Sequence, residues 1–372
     1  MATTFTEREQ AWMRRALALA RRGQGRVEPN PMVGCVIVRA DRVIGEGYHK
    51  RFGGPHAEVE ALRDCSTSPR GATVFVTLEP CCHTGKTGPC TDVLRDARVH
   101  RVVAAIVDPA EPVAGRGVRT LRRAGIRVAV GLCADEAATL NAPYLKLRRH
   151  RRPWVILKWA QSLDGCIATR AGHSQWISSE PSRHFVHRLR GRVDAVLVGI
   201  GTALADDPDL RCRDVRPRRL ATRIVVDSRL RLPIHAALVR TAKQAPTLIA
   251  TTHRGVRQQA RKAKRLNAAG VELLPLPQKG HHVSLHALLD TLGARQMTNV
   301  LVEGGGAILG ACMDHALADE AFVFVSPRII GGHNAVHAVA GVGPRTVETA
   351  RGAKNLTVRR SGADQMFHLQ WS

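Results

Sequence analysis

Aromatic residues are scarce in this 372-residue chain, at 4% of the total. Repeated base-stacking platforms for single-stranded nucleic acid are therefore not expected. Acidic side chains are also in deficit, with 31 Asp and Glu against 56 Lys and Arg and a net charge of +25. The excess is mostly arginine and dispersed, with denser runs at residues 148–152, 216–219 and 257–265. Such a surface reads as solvated rather than as a dedicated nucleic-acid face, while still favouring acidic partners such as phosphorylated metabolites. No run approaches the roughly 20 apolar residues of a membrane span. The opening MATTFTEREQ lacks the basic segment and apolar run of a secretory signal, so a cytoplasmic protein is expected.

The length predicts two domains, and the 44% hydrophobic content predicts globular ones. Thr6-Glu7-Arg8-Glu9 has capping-box spacing and opens a helix expected to run to about Arg22. VGCVIV and VIGEGY read as strands, and a helix follows that carries His56 and Glu58 in its first turn. A strand from Thr73, a loop over residues 79–89, a helix from Cys90 and two further strands complete an alternating α/β pattern. The boundary is placed in the basic run before Trp154, giving domains over 1–150 and 151–372. The second half alternates again, with helices expected over 181–190, 257–268 and 283–292, and another after Gly306.

Nine cysteines, an odd number with no export signal, argue for reduced thiols and for metal binding where they cluster. His56-Ala57-Glu58, then Pro80-Cys81 and Cys90, supplies three zinc-ligand side chains and a carboxylate. Catalytic zinc commonly takes three protein ligands and keeps its fourth position for water. Water there falls from a pKa of ~15.7 to about 7. Glu58 is placed to take its proton and pass it to a departing amine. His-x-Glu followed by Pro-Cys-x-x-Cys marks zinc nucleobase deaminases. Here eight residues separate Cys81 from Cys90 instead of two. Cys82 reads as a bystander thiol; as a fourth ligand it would close the water position and make the site structural.

In the second half, Val302-Glu303-Gly304-Gly305-Gly306 ends an apolar strand and opens a helix. Glycines there let a phosphate approach backbone N–H groups, and they equally serve close helix–strand packing. The run is not a G-x-G-x-x-G fingerprint.

Residues 1 to about 150 resemble the deaminase domain of the bifunctional riboflavin-biosynthesis deaminase-reductases. The resemblance rests on Pro29-Asn30-Pro31-Met32-Val33-Gly34, on His56-Ala57-Glu58, and on TLEPCCHTGKTGPC with its eight-residue gap. The second half resembles the reductase domain of the same family. It does so through Lys158-Trp159-Ala160-Gln161-Ser162-Leu163-Asp164-Gly165, Ser174-Gln175-Trp176-Ile177, the segment from Gly201 to Pro208, and Val226-Asp227-Ser228.

The resemblance implies an α/β fold: a cytidine-deaminase-like three-layer domain followed by one similar to dihydrofolate reductase. It implies zinc on His56, Cys81 and Cys90, with Glu58 as proton shuttle. The reaction would be hydrolytic deamination of a 2,5-diamino-6-ribosylamino-4-pyrimidinone 5'-phosphate, then NADPH reduction of its ribosyl group to ribityl. Asn30, His83 and Lys86 would contact the first substrate, or serve only as turn and loop residues. Ala160, Trp176, Thr202, Asp206, Ser228 and the run Gly305, Gly306, Ala307, Ile308, Leu309, Gly310, Ala311 would face NADPH. Ser174, Arg190, Leu210, Arg213 and Glu303 would contact the second substrate. Arg190 and Arg213 suit a phosphate by charge and fork geometry, or are surface arginines. Lys158 and Asp206 are candidate proton donors or structural partners.

The family suggests a homo-oligomer. Two alternatives fit parts of the sequence: an RNA- or nucleoside-directed zinc deaminase with an accessory domain, and a non-catalytic zinc-stabilised binding protein. The reductase-like half opposes the first, and the intact Glu58 opposes the second.

Overall fold

The computed structural model describes residues 5–84 and 88–371. The chain divides into two compact units, Met1–Arg151 and Arg152–Ser372.

In the first unit, helix α1 (Glu7–Ala20) starts on Thr6, whose hydroxyl accepts from the Glu9 amide while the Glu9 carboxylate accepts from the Thr6 amide. Strands β1 (Gly34–Arg39) and β2 (Arg42–Tyr48) form an antiparallel hairpin. Helix α2 (Ala57–Arg63), strand β3 (Thr73–Val76), helix α3 (Cys90–Asp96) and strand β4 (Arg101–Ala104) follow. Helix α4 (Arg116–Arg123), strand β5 (Arg127–Val130), and helices α5 (Ala134–Leu140) and α6 (Ala142–His150) complete the unit. The sheet order is β2-β1-β3-β4-β5, with β3, β4 and β5 parallel.

Successive residues of a strand point to opposite faces. Cys35, Ile37, Val74, Val76, Val102 and Ala104 therefore pack on the side holding Ala57 and Ala61 of α2, Leu94 of α3 and Leu121 of α4. Val36, Val38, Phe75 and Val103 pack on the other, against Met13, Ala16 and Leu17 of α1 and Ala137 of α5. Both faces are covered, which makes a three-layer sandwich and explains why VGCVIV is unbroken hydrophobic sequence. Gly47 lets α2 cross directly over β2: a Cβ there would lie 2.4 Å from the Ala61 nitrogen. That close approach sets where the start of α2 lies.

The second unit is built on a nine-stranded sheet. In chain order its elements begin with β6 (Trp154–Gln161), β7 (Cys166–Ala168), α7 (Glu180–Arg190), β8 (Ala195–Gly199), α8 (Ile200–Asp206) and β9 (Thr222–Val226). Next come α9 (Ala237–Arg240), β10 (Thr247–Thr252), α10 (His253–Gln258), α11 (Ala260–Ala268) and β11 (Glu272–Leu276). The short strands β12 (Gln278–Lys279) and β13 (His282–Val283) precede α12 (Leu285–Ala294), β14 (Asn299–Glu303) and α13 (Gly306–Asp314). The unit ends with β15 (Glu320–Val325), β16 (Val336–His337), β17 (Asn355–Ser361) and β18 (Asp364–Gln370). The sheet order is β11-β10-β9-β8-β14-β6-β15-β18-β17. The first seven strands of that order are parallel and the last two antiparallel.

Two helical expectations need correction. The helix expected over 257–268 is two helices, because Gln259 leaves the helical region at φ −117°, ψ 36°. The one expected from Val283 begins at Leu285, since Val283 pairs in a strand and Ser284 caps the Ala287 amide.

Candidate active site

His56 is the N-cap residue of α2, Cys90 is the first residue of α3, and Cys81 lies in the loop between β3 and α3. Elements distant in sequence thus bring the three side chains to one point. His56 Nδ1 is 3.3 Å from Cys90 Sγ and 3.4 Å from Cys81 Sγ, and the three ligand atoms lie within 4.8 Å of one another. Tetrahedral zinc, with Zn–S near 2.3 Å and Zn–N near 2.0–2.1 Å, sets its ligand atoms roughly 3.5–3.8 Å apart. The donor set fits zinc in kind and in spacing.

The Cys90 amide, at a helix start, points at Cys81 Sγ from 3.4 Å. Hydrogen bonds from Cys90, together with His56, pull the Cys81 thiol well below its ordinary value, which favours a ligating thiolate. The proton shared with Cys81 pushes Cys90 the other way. Glu58 is buried beside the trio, and burial pushes its carboxyl up to about 7. Glu58 lines the same cavity as the trio, where a carboxyl can accept and return a proton.

His56, Glu58 and Cys81 line a cavity of ≈ 340 Å³. Asn30 and His83 also line it; Lys86 lies outside the described residues. Cys82 does not join the ligand trio: its Sγ points at the Pro112 carbonyl, 3.7 Å away.

Several cavity residues were not foreseen from the sequence. His49 is buried and donates from Nδ1 to the Pro55 carbonyl at 2.9 Å; its Nε2 lies 3.2 Å from Asn30 Nδ2. The Pro55 contact requires Nδ1–H, so neutral His49 accepts from the Asn30 amide, which fixes that amide's orientation. The cavity is also lined by Asp108, Tyr144 and Arg148, with the Tyr144 hydroxyl donating to Asp108 at 2.9 Å. Nothing local in the sequence joins Asp108 to Tyr144.

In the second unit several of the foreseen residues lie on or just after the parallel strands, toward the carboxyl ends where open α/β sheets bind ligands. Lys158 and Ala160 are on β6, Thr202 and Asp206 on α8 just after β8, Ser228 just past β9, and Glu303 ends β14. Gly304 and Gly305 turn into α13 at φ +74° and +81°, and a Cβ on Gly305 would lie 2.8 Å from Thr202 Oγ1. Thr202 and the glycine turn are therefore neighbours, with the first amides of α13 beside them. This cradle fits a cofactor phosphate.

The glycines serve packing as well. A Cβ on Gly310 would lie 1.7 Å from the Ala340 carbonyl oxygen. The Ser228 hydroxyl accepts from the Val283 amide at 3.0 Å. The contacts of Trp176 run instead to Arg183, 4.7 Å over its ring, and to Arg328, which donates to its carbonyl. Ser174, half-buried, lies on the same segment.

Arg190 turns its fork on Glu303, donating from Nε at 2.6 Å and Nη2 at 2.8 Å. The geometry suited to a phosphate is thus engaged by a carboxylate. Arg213 keeps an exposed side chain while its amide donates to His187 Nδ1. Leu210 is buried. Lys158 is half-buried and pushed down by burial, with Glu303 opposing the shift.

A riboflavin biosynthesis protein RibD of Actinobacillus pleuropneumoniae is 38% identical over 353 residues, covering 95% of this chain and 93% of its own. The chain belongs to the RibD family. Family models agree in order along the chain: the cytidine and deoxycytidylate deaminase zinc-binding region matches residues 6–106, and the RibD C-terminal domain matches 153–365. The solved RibD of Acinetobacter baumannii superposes with a TM-score of 0.86 at 36% identity, covering 98% of this chain and 99% of that one. A Thermotoga maritima protein superposes with a TM-score of 0.85 at 34% identity and the same coverage. It is described as a diaminohydroxyphosphoribosylaminopyrimidine deaminase and 5-amino-6-(5-phosphoribosylamino)uracil reductase. Among the described residues no helix is long and apolar enough to cross a membrane.

Proposed function

We propose that this RibD-family chain carries out two successive steps of riboflavin biosynthesis. The first unit deaminates the 2,5-diamino-6-ribosylamino-4-pyrimidinone 5'-phosphate, and the second reduces the ribosyl group of the product to ribityl with NADPH. The observation that carries the reading is His56, Cys81 and Cys90 meeting within 4.8 Å beside buried Glu58 in one cavity.

His56, Cys81 and Cys90 hold zinc, which when bound acidifies water and polarises it for attack. Asn30, its amide set by His49, presents a hydrogen-bonding edge to the pyrimidine. Glu58 accepts a proton from water and delivers it to the departing amine, so that water is consumed and ammonia released. His83, on the cavity wall, contacts the substrate, and Lys86 is a further substrate contact by its charge alone. Ammonia loss leaves a ring carbonyl.

In the second unit the turn at Gly304 and Gly305, the start of α13 and Thr202 bind NADPH, with Ala160, Trp176, Asp206 and Ser228 completing its site. NADPH supplies hydride; the chain places the opened sugar beside it. Leu210, Arg213, Ser174 and the Arg190–Glu303 pair form the substrate wall, with Arg213 the phosphate partner. One proton is also required, and Lys158, beside Glu303, is better placed to give it than exposed Asp206.

The RNA-directed alternative is not favoured, because relatives match across both halves of the chain. The domains are assigned to 1–150 and 151–372, in a cytoplasmic homo-oligomer. Light scattering tests the assembly. Glu58→Gln tests the deaminase: zinc content holds while deamination falls by about 10²–10⁴-fold. Undiminished deamination would remove Glu58 from the reaction.

A further inference from the structure

Arg223 lies on β9 with no exposed side-chain surface. A buried guanidinium persists where its donors are met; here both Nη atoms are met, while Nε has no hydrogen-bond partner. Its Nη2 donates to the carbonyls of Thr241 at 3.0 Å and Ala245 at 2.9 Å, and to Thr247 Oγ1 at 2.6 Å. Its Nη1 donates to Thr241 Oγ1 at 2.6 Å and reaches Asp209, the carbonyl at 3.2 Å and carboxylate Oδ1 at 3.4 Å. The same carboxylate takes the fork of Arg211 at 2.6 and 2.8 Å.

Asp209 begins the stretch that carries Leu210 and Arg213. Its backbone is unusual: Asp207, Leu210 and Asp214, none of them glycine, have φ of +37°, +61° and +62°. Such conformations persist only where the surroundings over-determine them. Leu210 is bracketed by two arginines, Arg223 on the carbonyl of Asp209 before it and Arg190 on the carbonyl of Arg211 after it, at 3.4 Å. Arg190 is in turn held by Glu303. The loop is thus tied to the interior on one side and to the proposed substrate wall on the other.

We propose that Arg223 is a positioning residue of the reductase: by holding Asp209 it fixes loop 209–213, with Leu210 packed inward, in the conformation that presents Arg213 to the phosphorylated substrate. This rests on the reading of that loop as substrate wall. Arg223 touches neither substrate nor NADPH, so its removal acts on substrate binding through the loop. A purely structural arginine would lower the folded fraction and leave the KM of the remaining enzyme unchanged.

The test uses the full chain, with steady-state reduction of 5-amino-6-(5-phosphoribosylamino)uracil, in Arg223→Lys, Asp209→Ala and Arg213→Ala. Asp209→Ala keeps the interior bonds of Arg223 to Thr241, Ala245 and Thr247 but also frees the fork of Arg211. Arg211→Ala is therefore measured beside it, and the two together carry the test if the Arg223 variant does not fold. An equal KM rise in Arg211→Ala with none in Arg223→Lys would assign the loop's position to Arg211 and overturn the proposal. Arg223→Lys and Asp209→Ala are expected to raise KM for the pyrimidine phosphate about tenfold, since small misplacements of binding groups are costly. KM for NADPH and deamination by the same chain stay unchanged. If Arg213→Ala raises that KM and neither Arg223→Lys nor Asp209→Ala does, Arg223 does not position the loop. If Arg213→Ala leaves KM unchanged, the loop is not the substrate wall and both readings fall.

Discussion

Arg190 and Glu303 form a buried bidentate ion pair across 113 residues of sequence, with Nε and Nη2 at 2.6 and 2.8 Å from the two carboxylate oxygens. The pair joins the end of α7 to the end of β14, where the glycine turn begins. Removing one partner of such a pair leaves a buried charge uncompensated, at a cost of about 3–5 kcal/mol. Glu303→Gln should therefore lower the denaturant midpoint of the second unit. An unchanged midpoint would mean that the pair is not closed in solution.

That loss should depend on pH. Burial alone would raise the Glu303 carboxyl, but the charge and hydrogen bonds of Arg190 outweigh it and hold the group below its ordinary value. A carboxylate lowered in the folded state adds stability that is fully present above its unfolded pKa and disappears as pH falls through the folded value. The gap between wild type and Glu303→Gln is therefore expected to be full at pH 7 and to narrow below about pH 4.3. Urea titrations across that range check it; a gap widening toward acid would contradict the assignment.

Stripping zinc with a chelator should abolish deamination while reduction of the deaminated intermediate continues, because the ligands lie wholly in the first unit. Restored zinc should restore the first activity. Parallel loss of both activities would contradict this separation.

Asn141 is buried and bonds Met32 twice, accepting from its amide at 2.8 Å and donating to its carbonyl at 2.9 Å. These bonds tie α6 to the segment that carries Asn30. Asn141→Ala leaves two buried backbone groups unmet, each at a cost of about 1–3 kcal/mol. Lower thermal stability with a raised deaminase KM is expected, and wild-type values for both would refute the tie.

Gly310→Ala inserts a methyl where a carbonyl already sits. Overpacking of this kind costs typically about 1–3 kcal/mol. The variant should melt earlier in the second unit and bind NADPH more weakly, read by calorimetry and fluorescence titration. Unaltered melting would show that the segment around Ala340 moves aside freely.

The zinc site was legible because its chemistry is local: His56 and Glu58 are two residues apart, and Cys81 and Cys90 bracket one loop. Thr6 announced its helix for the same reason, since a capping box spans four residues. What escaped depends on contacts between distant segments. The Asn141–Met32 bonds join residues 109 apart, and no pattern near Arg190 shows that its fork faces Glu303. Arg223 sits in RIVVDS, where an arginine before an apolar run looks like a strand end at the surface rather than a buried clasp. The break at Gln259 has no glycine or proline to signal it.

The most direct measurement is a single coupled assay on one zinc-quantified sample of the full chain, given the diaminopyrimidine ribosylamino phosphate and NADPH. The account predicts ammonia release first, then NADPH oxidation in equal amount, with about one zinc per chain. NADPH oxidation with the deaminated intermediate, but no ammonia from the diamino compound by zinc-loaded protein, would contradict it.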